Sequence, residues 1–305
     1  MKEDYTRQEL ILEDGDFVDL DWTAIPGRDN TRPIIILFHG LGGDSHSHYC
    51  KSLMRAIHAA GWYGVVMNFR SCSGRLNRQP RLYHSGETGD GGYFIKFLSQ
   101  QFPLAALFAT GFSLGGNMLL KMAGEQGARL DLKGLVSISA PIKLAESTRY
   151  MMSGLPRLYQ AYLLRALKRK FLDKYAFHDY QSLIDVSRAD VHNCKTIREF
   201  DHIITARLHG FDSAEDYYQK SSAFSYIALI AKPCLIIHAK DDPIAPSSML
   251  SDVNISHQAV VLEMTERGGH VGYMAGSVFK PRYWLADRVI SYFKQLLETS
   301  AGDEP

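Results

Sequence analysis

Six short, uninterrupted apolar runs recur along the chain and predict its central sheet. They lie at residues 33–40, 63–69, 104–111, 134–140, 233–240 and 259–264. Runs that are apolar at consecutive positions are typical of parallel strands buried on both faces between helices. Segments with helical periodicity separate or follow them, at 51–61, 91–102, 115–127 and 283–298. This alternation predicts an α/β protein with a mostly parallel central sheet flanked by helices.

Two segments depart from this alternation. Residues 8–22, "QELILEDGDFVDLDW", alternate apolar and polar positions around Asp14-Gly15, which predicts an antiparallel hairpin at the N-terminal edge of the sheet. Between Pro141 and Lys232 the sequence shows only helical patterns. We therefore expect residues 1–140 and 233–305 to form one core, with 141–232 inserted as a helical cap.

The composition of the chain bears on its binding partners and its cellular compartment. The 305 residues carry a formal net charge of +1, so no excess of basic residues is available to neutralise the phosphates of a nucleic acid. No apolar run approaches the length of a membrane span, and the N-terminus lacks the apolar centre of a signal peptide. The scattered cysteines predict reduced thiols in a cytoplasmic protein; they are Cys50, Cys72, Cys194 and Cys234. These properties leave the oligomeric state undetermined.

The stretch "TGFSLGGN", residues 110–117, carries the first sign of chemistry. It places Ser113 in a G-x-S-x-G pattern directly after a predicted strand and before a predicted helix. That context is typical of a nucleophile elbow, a sharp turn that lifts a serine hydroxyl above the sheet edge. The alternative is a glycine-rich strand–helix turn without chemistry, which the pattern alone does not exclude.

A serine nucleophile needs a base, and the base needs an acid to orient it. His270, in "ERGGHVGY", follows the last predicted strand and is the candidate base. "HAKDDPIAP" follows the strand before it and offers two acids, of which we favour Asp242, with Asp241 as the alternative. An ordinary surface histidine and an Asp-Pro turn are the competing interpretations. The order serine, aspartate, histidine is the one found in hydrolases of this architecture.

An oxyanion hole needs two backbone N–H donors near the nucleophile. The residue after the serine, Leu114, is one candidate, and Leu41 in "HGLGG" is the other. We expect His39 to orient this loop rather than to ionise during catalysis. No cofactor or metal ion is expected. His46, His48 and Cys50 alternate in "SHSHYC", but no further ligand type completes a metal-binding set.

The motifs "HGLGG", "NFRSCSG", "GFSLGGN", "HAKDDPIAP" and "GGHVGY" together resemble the α/β-hydrolase superfamily, and within it the YheT-like subfamily of esterases. The resemblance covers nearly the whole chain. It implies Ser113 as nucleophile, Asp242 as acid and His270 as base, with the amides of Leu41 and Leu114 as the oxyanion hole. Related sequences commonly have an additional N-terminal segment, and commonly have Arg-Gly where this chain has Arg70-Ser71.

The resemblance implies a serine hydrolase of carboxylic esters, with short- to medium-chain acyl groups and a small-molecule or lipid-like substrate. Transfer of the acyl group to an alcohol or thiol is the first alternative, because the same three residues serve both reactions. A binding protein that has lost turnover is the second. The basic helical stretch in the cap offers two further interpretations, a solvated face or a transient contact with a membrane surface. The aromatic residues of that stretch could line an acyl pocket or fill the cap's core; they are Tyr159, Tyr162 and Phe171.

Overall fold

The structure is a computed structural model, and it describes residues 5–253, 259–277 and 280–302. Its main sheet has eight strands in the order β1-β2-β4-β3-β5-β6-β7-β8. Strands β1 and β2 form the predicted antiparallel hairpin, β2 is also antiparallel to β4, and all other neighbours are parallel. The strands are β1 (Thr6–Ile11), β2 (Phe17–Trp22), β3 (Ile34–Phe38), β4 (Tyr63–Asn68), β5 (Leu107–Phe112), β6 (Gly134–Ile138), β7 (Cys234–Ala239) and β8 (Val260–Thr265).

The central strands are buried on both faces, as their unbroken apolar runs predict. In β3, Ile34, Ile36 and Phe38 face one apolar layer with the helices α2 (Thr88–Gln101) and α3 (Leu114–Gln126). Ile35 and Leu37 face the opposite layer, with α1 (His48–Ala59) and α11 (Trp284–Gly302). All five side chains are fully buried. The mostly parallel sheet with flanking helices is therefore confirmed.

Between β6 and β7 the chain forms only helical elements. These helices are α4 (Leu144–Tyr150), α5 (Pro156–Lys174), α6 (Tyr180–Ile184), α7 (Arg188–Asn193), α8 (Ile197–Phe200), α9 (Ala206–His209) and α10 (Ala214–Ser221). Phe171, Tyr180 and Phe200 lie at the centre of an apolar cluster within this segment. Phe171 therefore fills the core of the helical segment, whereas Tyr159 and Tyr162 are exposed. The division of the chain into a core and a cap domain stays a prediction.

A second, two-stranded sheet was not predicted from the sequence. It pairs β9 (Met274–Ser277) with β10 (Lys280–Tyr283), immediately before α11. Each strand is only four residues long, so neither presents the apolar run or the alternation on which a sequence prediction depends. None of the described helices combines the length and the apolar character that crossing a membrane requires.

Arg70 and Ser71 lie at a buried ionic junction. Arg70 is 1% exposed, and its guanidinium donates to the carboxylates of Asp14, Asp16 and Asp90, which joins the N-terminal hairpin to α2. Ser71 has a φ of 62°, a conformation that favours glycine. Its hydroxyl donates to Asn77 Oδ1 at 2.6 Å and accepts from the Asn77 N–H at 3.1 Å. These bonds compensate for the strain of that conformation.

Candidate active site

Ser113 lies at the sharp turn between β5 and α3. Its φ of 51° and ψ of −116° are strained for a residue with a side chain. The N–H of Ser113 donates to the carbonyl oxygen of Ile138 at 2.8 Å, which attaches the turn to the end of the neighbouring strand β6. The turn therefore has the strand–turn–helix context and the strained backbone of a nucleophile elbow.

Two glycines make this turn sterically feasible. A Cβ atom on Gly111 would lie 2.4 Å from the carbonyl oxygen of Gly115, and one on Gly115 would lie 2.4 Å from the carbonyl oxygen of Phe38. In both cases the obstacle is backbone, which cannot rotate away as a side chain can. The glycines of the pattern are therefore required by close packing of helix α3 against the ends of β3 and β5.

The structure brings together the three residues predicted as nucleophile, base and acid. His270 Nε2 lies 2.8 Å from Ser113 Oγ, and His270 Nδ1 lies 2.9 Å and 3.0 Å from the two carboxylate oxygens of Asp242. Because an ionised carboxylate only accepts, Nδ1 carries the hydrogen of the neutral imidazole and Nε2 is left to accept from the serine hydroxyl. That tautomer is the one general-base catalysis requires.

The two neighbouring aspartates have different contacts. Asp242 is 2% exposed, and its Oδ1 also accepts from the N–H groups of Ile244 and Ala245 at 2.8 Å and 2.9 Å. Asp241 points instead to the loop before the histidine, where its Oδ1 accepts from the N–H groups of Gly268 and Gly269. Asp242 thus contacts the imidazole, and Asp241 fixes the loop that carries it.

The two predicted oxyanion donors also lie beside Ser113. Leu41 and Leu114 line a cavity together with Ser113. Leu114 is the first residue of α3, so its N–H has no acceptor within the helix. The N–H of Leu41 has no acceptor among the described residues, whereas those of Gly40 and Gly42 on either side donate to tyrosine hydroxyls. One unpaired N–H between two fixed ones is a suitable donor for an oxyanion.

Three side chains hold the Leu41 loop, and two of them, Tyr49 and Tyr83, were not predicted from the sequence. The hydroxyl of Tyr49 accepts from the Gly40 N–H, and that of Tyr83 accepts from the Gly42 N–H, both at 2.9 Å. His39 is fully buried; its Nε2 accepts from the N–H of Phe69, and its Nδ1 is 2.8 Å from the carbonyl oxygen of Gly40. Burial lowers the pKa of His39 to about 3, so it stays neutral and orients the loop as expected.

Two cavities meet at Ser113. The inner cavity, of about 80 Å³, extends from Ser113 and Leu114 beneath the helical segment to Asp201 and Tyr217. The outer cavity, of about 450 Å³, is lined by His270 and by the exposed Tyr159 and Tyr162 of α5. Leu41, Leu163 and Ile244 line both cavities, as Ser113 does. The serine hydroxyl can therefore be approached from two sides.

Among the described residues, His84, Glu87 and His209 form the one group with the atoms to hold a metal ion, since their donor atoms all lie within 4.8 Å of one another. Arg81 already forms a close ion pair with Glu87. The Arg81 guanidinium already balances the negative charge of the Glu87 carboxylate. His46 and His48 are exposed whereas Cys50 is buried in the core, so their alternation does not bring them together.

Comparisons with known proteins identify the family of the chain. Residues 33–276 match the family described as alpha/beta hydrolase fold. The chain is 42% identical to "Putative esterase YheT" of Escherichia coli (strain K12), over 96% of this chain and 86% of that protein. It is 29% identical to the monoacylglycerol lipase of Saccharomyces cerevisiae, over 87% of this chain and 60% of that protein.

A solved structure shares the fold. The esterase Pf2001 of Pyrococcus furiosus superposes with a TM-score of 0.62, at 16% identity, over 96% of this chain and 91% of that chain. At 16% identity the structural similarity shows only that the fold is shared. The sequence matches show the family. The chain therefore belongs to the α/β-hydrolase fold family and is an enzyme of the esterase and lipase type.

Proposed function

We propose that the protein hydrolyses carboxylic esters of short- to medium-chain acids through an acyl-enzyme on Ser113. The observation that carries this proposal is the contact of His270 with both Ser113 Oγ and the Asp242 carboxylate. A serine hydroxyl is a weak nucleophile until a base accepts its proton. The buried Asp242 would stabilise the imidazolium that forms when His270 takes that proton.

In the first half of the proposed reaction, Ser113 Oγ attacks the ester carbonyl carbon while its proton passes to His270 Nε2. The N–H groups of Leu41 and Leu114 donate to the oxyanion of the tetrahedral intermediate. The bond from carbon to the leaving oxygen then breaks, and His270 returns the proton to that oxygen, so that an alcohol leaves and the acyl group stays on Ser113.

In the second half, water takes the place of the alcohol. His270 removes a proton from the water as its oxygen attacks the acyl carbon, and the second tetrahedral intermediate collapses to release a carboxylic acid. The proton returns to Ser113 Oγ, which restores the starting state. An alcohol or thiol in place of this water would give acyl transfer with the same residues, so only the identity of the product separates the two reactions.

A panel of 4-nitrophenyl esters of increasing acyl length, run with and without glycerol as an acceptor, tests the proposal. We expect turnover with a maximum at short or medium chains, and free acid as the main product in both conditions. A glyceryl ester as the main product would replace hydrolysis with acyl transfer. No turnover of any ester by the folded protein would support the binding-protein alternative.

We further propose that the exposed surface at the start of helix α5 contacts lipid bilayers. Leu155, Leu158 and Tyr162 are 77%, 70% and 72% exposed, and the exposed Arg157 and Arg165 lie among them. Tyr162 also lines the outer cavity that His270 lines. Apolar side chains flanked by basic ones favour the surface of an anionic bilayer. Such a contact would present the mouth of the outer cavity to a lipid-like ester.

The double variant Leu155→Ser/Leu158→Ser tests the lipid contact. We expect its affinity for vesicles of phosphatidylcholine and phosphatidylglycerol to fall about tenfold or more, because each leucine loses the gain from apolar burial. Flotation of the vesicles with bound protein measures this affinity. Leu104→Ser is the matched control, since Leu104 is 62% exposed but precedes β5, at the sheet edge opposite Ser113. Equal binding by both variants and the parent protein would contradict the contact.

A further inference from the structure

A buried carboxylate lines the inner cavity together with Ser113, and the proposed reaction does not use it. Asp201 is 8% exposed. Its Oδ1 accepts from the hydroxyl of Thr205 at 2.8 Å, and its Oδ2 accepts from the hydroxyl of Tyr218 at 2.8 Å. A carboxylate has about four lone-pair sites, so these two bonds leave acceptor capacity on each oxygen.

Asp201 has no compensating cation within the described ranges, where no basic side chain forms an ion pair with it. Burial raises its pKa to about 6, which shows the cost of removing this carboxylate from water. Buried charges are ordinarily paired or fully hydrogen-bonded. The Asp201 carboxylate lines a cavity beside Ser113 and has unused acceptor sites. This arrangement points to a hydrogen-bond donor that arrives with the substrate.

The local backbone gives a second indication. Residues Asp201–Thr205 form a single π-helical turn between α8 and α9, and the N–H of Ala206 donates to the carbonyl oxygen of Asp201. Such turns insert an extra residue into a helix, and they occur often at functional sites. Here the turn places both Asp201 and its partner Thr205 among the residues that line the inner cavity.

The position of His270 assigns the two cavities to the two halves of an ester. In the proposed reaction His270 protonates the leaving oxygen, so the alcohol must lie on the side of the imidazole. His270 lines the outer cavity, and the inner cavity is lined without it. The alcohol therefore belongs to the outer cavity and the acyl group to the inner one. The inner cavity, about 80 Å³ against about 450 Å³, is the smaller of the two.

We propose that the inner cavity selects acyl groups that carry a hydroxyl, and that this hydroxyl donates to the Asp201 carboxylate. This inference rests on the proposed ester hydrolysis and names its acyl specificity. The lining of the inner cavity favours a hydroxyl, because it includes further residues with hydroxyl groups, Thr148, Thr205, Tyr217 and Tyr218. An ammonium group is a poorer match, because the cost of taking it out of water largely cancels its attraction to a buried carboxylate.

Matched pairs of 4-nitrophenyl esters test the proposal with the unaltered protein. The pairs are butanoate with 3-hydroxybutanoate, and hexanoate with 6-hydroxyhexanoate; 6-aminohexanoate is added for the ammonium alternative. We expect kcat/KM to be about tenfold or more higher for the hydroxylated member of at least one pair, since hydrogen bonds to charged groups are among the stronger ones. The common leaving group keeps the alcohol side constant.

Asp201→Asn tests whether the carboxylate is responsible. The hydroxyl preference should fall about three- to tenfold, because a neutral amide accepts a weaker hydrogen bond than a carboxylate does. The preference is the ratio of the two kcat/KM values within one pair, so a general effect of the substitution on turnover cancels from it. Asp212→Asn is the matched control, since Asp212 is exposed on the loop before α10 and lines neither cavity. Thermal denaturation of both variants checks that they fold.

The outcomes separate this inference from the function it rests on. Equal kcat/KM within each pair, with normal hydrolysis of the plain esters, would overturn the hydroxyacyl specificity and leave ester hydrolysis in place. A larger gain for 6-aminohexanoate would overturn the assignment of a hydroxyl. Hydrolysis of none of the esters would contradict the proposed function itself. If Asp201→Asn does not fold, the comparison of pairs in the unaltered protein still decides.

Discussion

Ser113→Ala is expected to lower kcat for 4-nitrophenyl esters by a factor on the order of 10⁴ to 10⁶. The substitution removes the one oxygen that lies 2.8 Å from His270 Nε2, so no acyl-enzyme can form. Alanine keeps the Cβ atom and the N–H that donates to Ile138, so the turn and the folded state should persist. Initial rates of 4-nitrophenol release, with circular dichroism as a check on folding, measure the effect.

Ser99→Ala provides a control for this loss. Ser99 lies on α2, where its hydroxyl donates to Asp131, away from both cavities that meet at Ser113. Its kcat should equal that of the parent protein. If Ser113→Ala retained more than about a tenth of the parent kcat, another residue would have to be the nucleophile, and the assignment of the site would be wrong.

Asp242→Asn and Asp241→Asn should differ by about two orders of magnitude or more in their effect on kcat. An asparagine at 242 presents an N–H₂ group or a weaker acceptor to His270 Nδ1, so the imidazole loses its required tautomer and its stabilising charge. A loss on the order of 10⁴ is expected for such a change. At 241 the amide oxygen of asparagine can still accept from Gly268 and Gly269, so a loss below about tenfold is expected.

Comparing the two variants cancels any loss of kcat that comes simply from removing a negative charge near the site. Both residues lie in the same loop after β7, and both changes remove one formal charge. Steady-state kcat at one pH for the two variants gives the ratio directly. A greater loss for Asp241→Asn than for Asp242→Asn would contradict the assignment of the acid, whatever the absolute rates.

The parts of the fold that sequence predicts best are those set by neighbouring residues. Each parallel strand is an unbroken apolar run, because both of its faces are covered by helices. The hairpin around Gly15 follows from alternation and from a glycine with a φ of 76°. The elbow at Ser113 is likewise local, since its glycines, its strand and its helix lie within about twenty residues.

The contacts that sequence does not predict join residues far apart in the chain. The hydroxyl of Tyr83 accepts from the N–H of Gly42, although the two residues are 41 positions apart in the chain. The sequence around neither residue indicates this contact. The choice between Asp241 and Asp242 likewise depends on how the His270 loop, 28 positions on, folds back onto β7. Asp201 belongs to the same group, because its burial beside Ser113 depends on how the helical segment covers the sheet.

Labelling by a fluorophosphonate probe tests the central claim most directly. The probe phosphonylates an activated serine, so it reports on the nucleophile without any knowledge of the natural substrate. Mass spectrometry of the digested protein should find one adduct, on the peptide that contains Ser113, and Ser113→Ala should show none. An absence of adduct on the folded protein, or an adduct on a different serine, would contradict the assignment of Ser113 as the nucleophile.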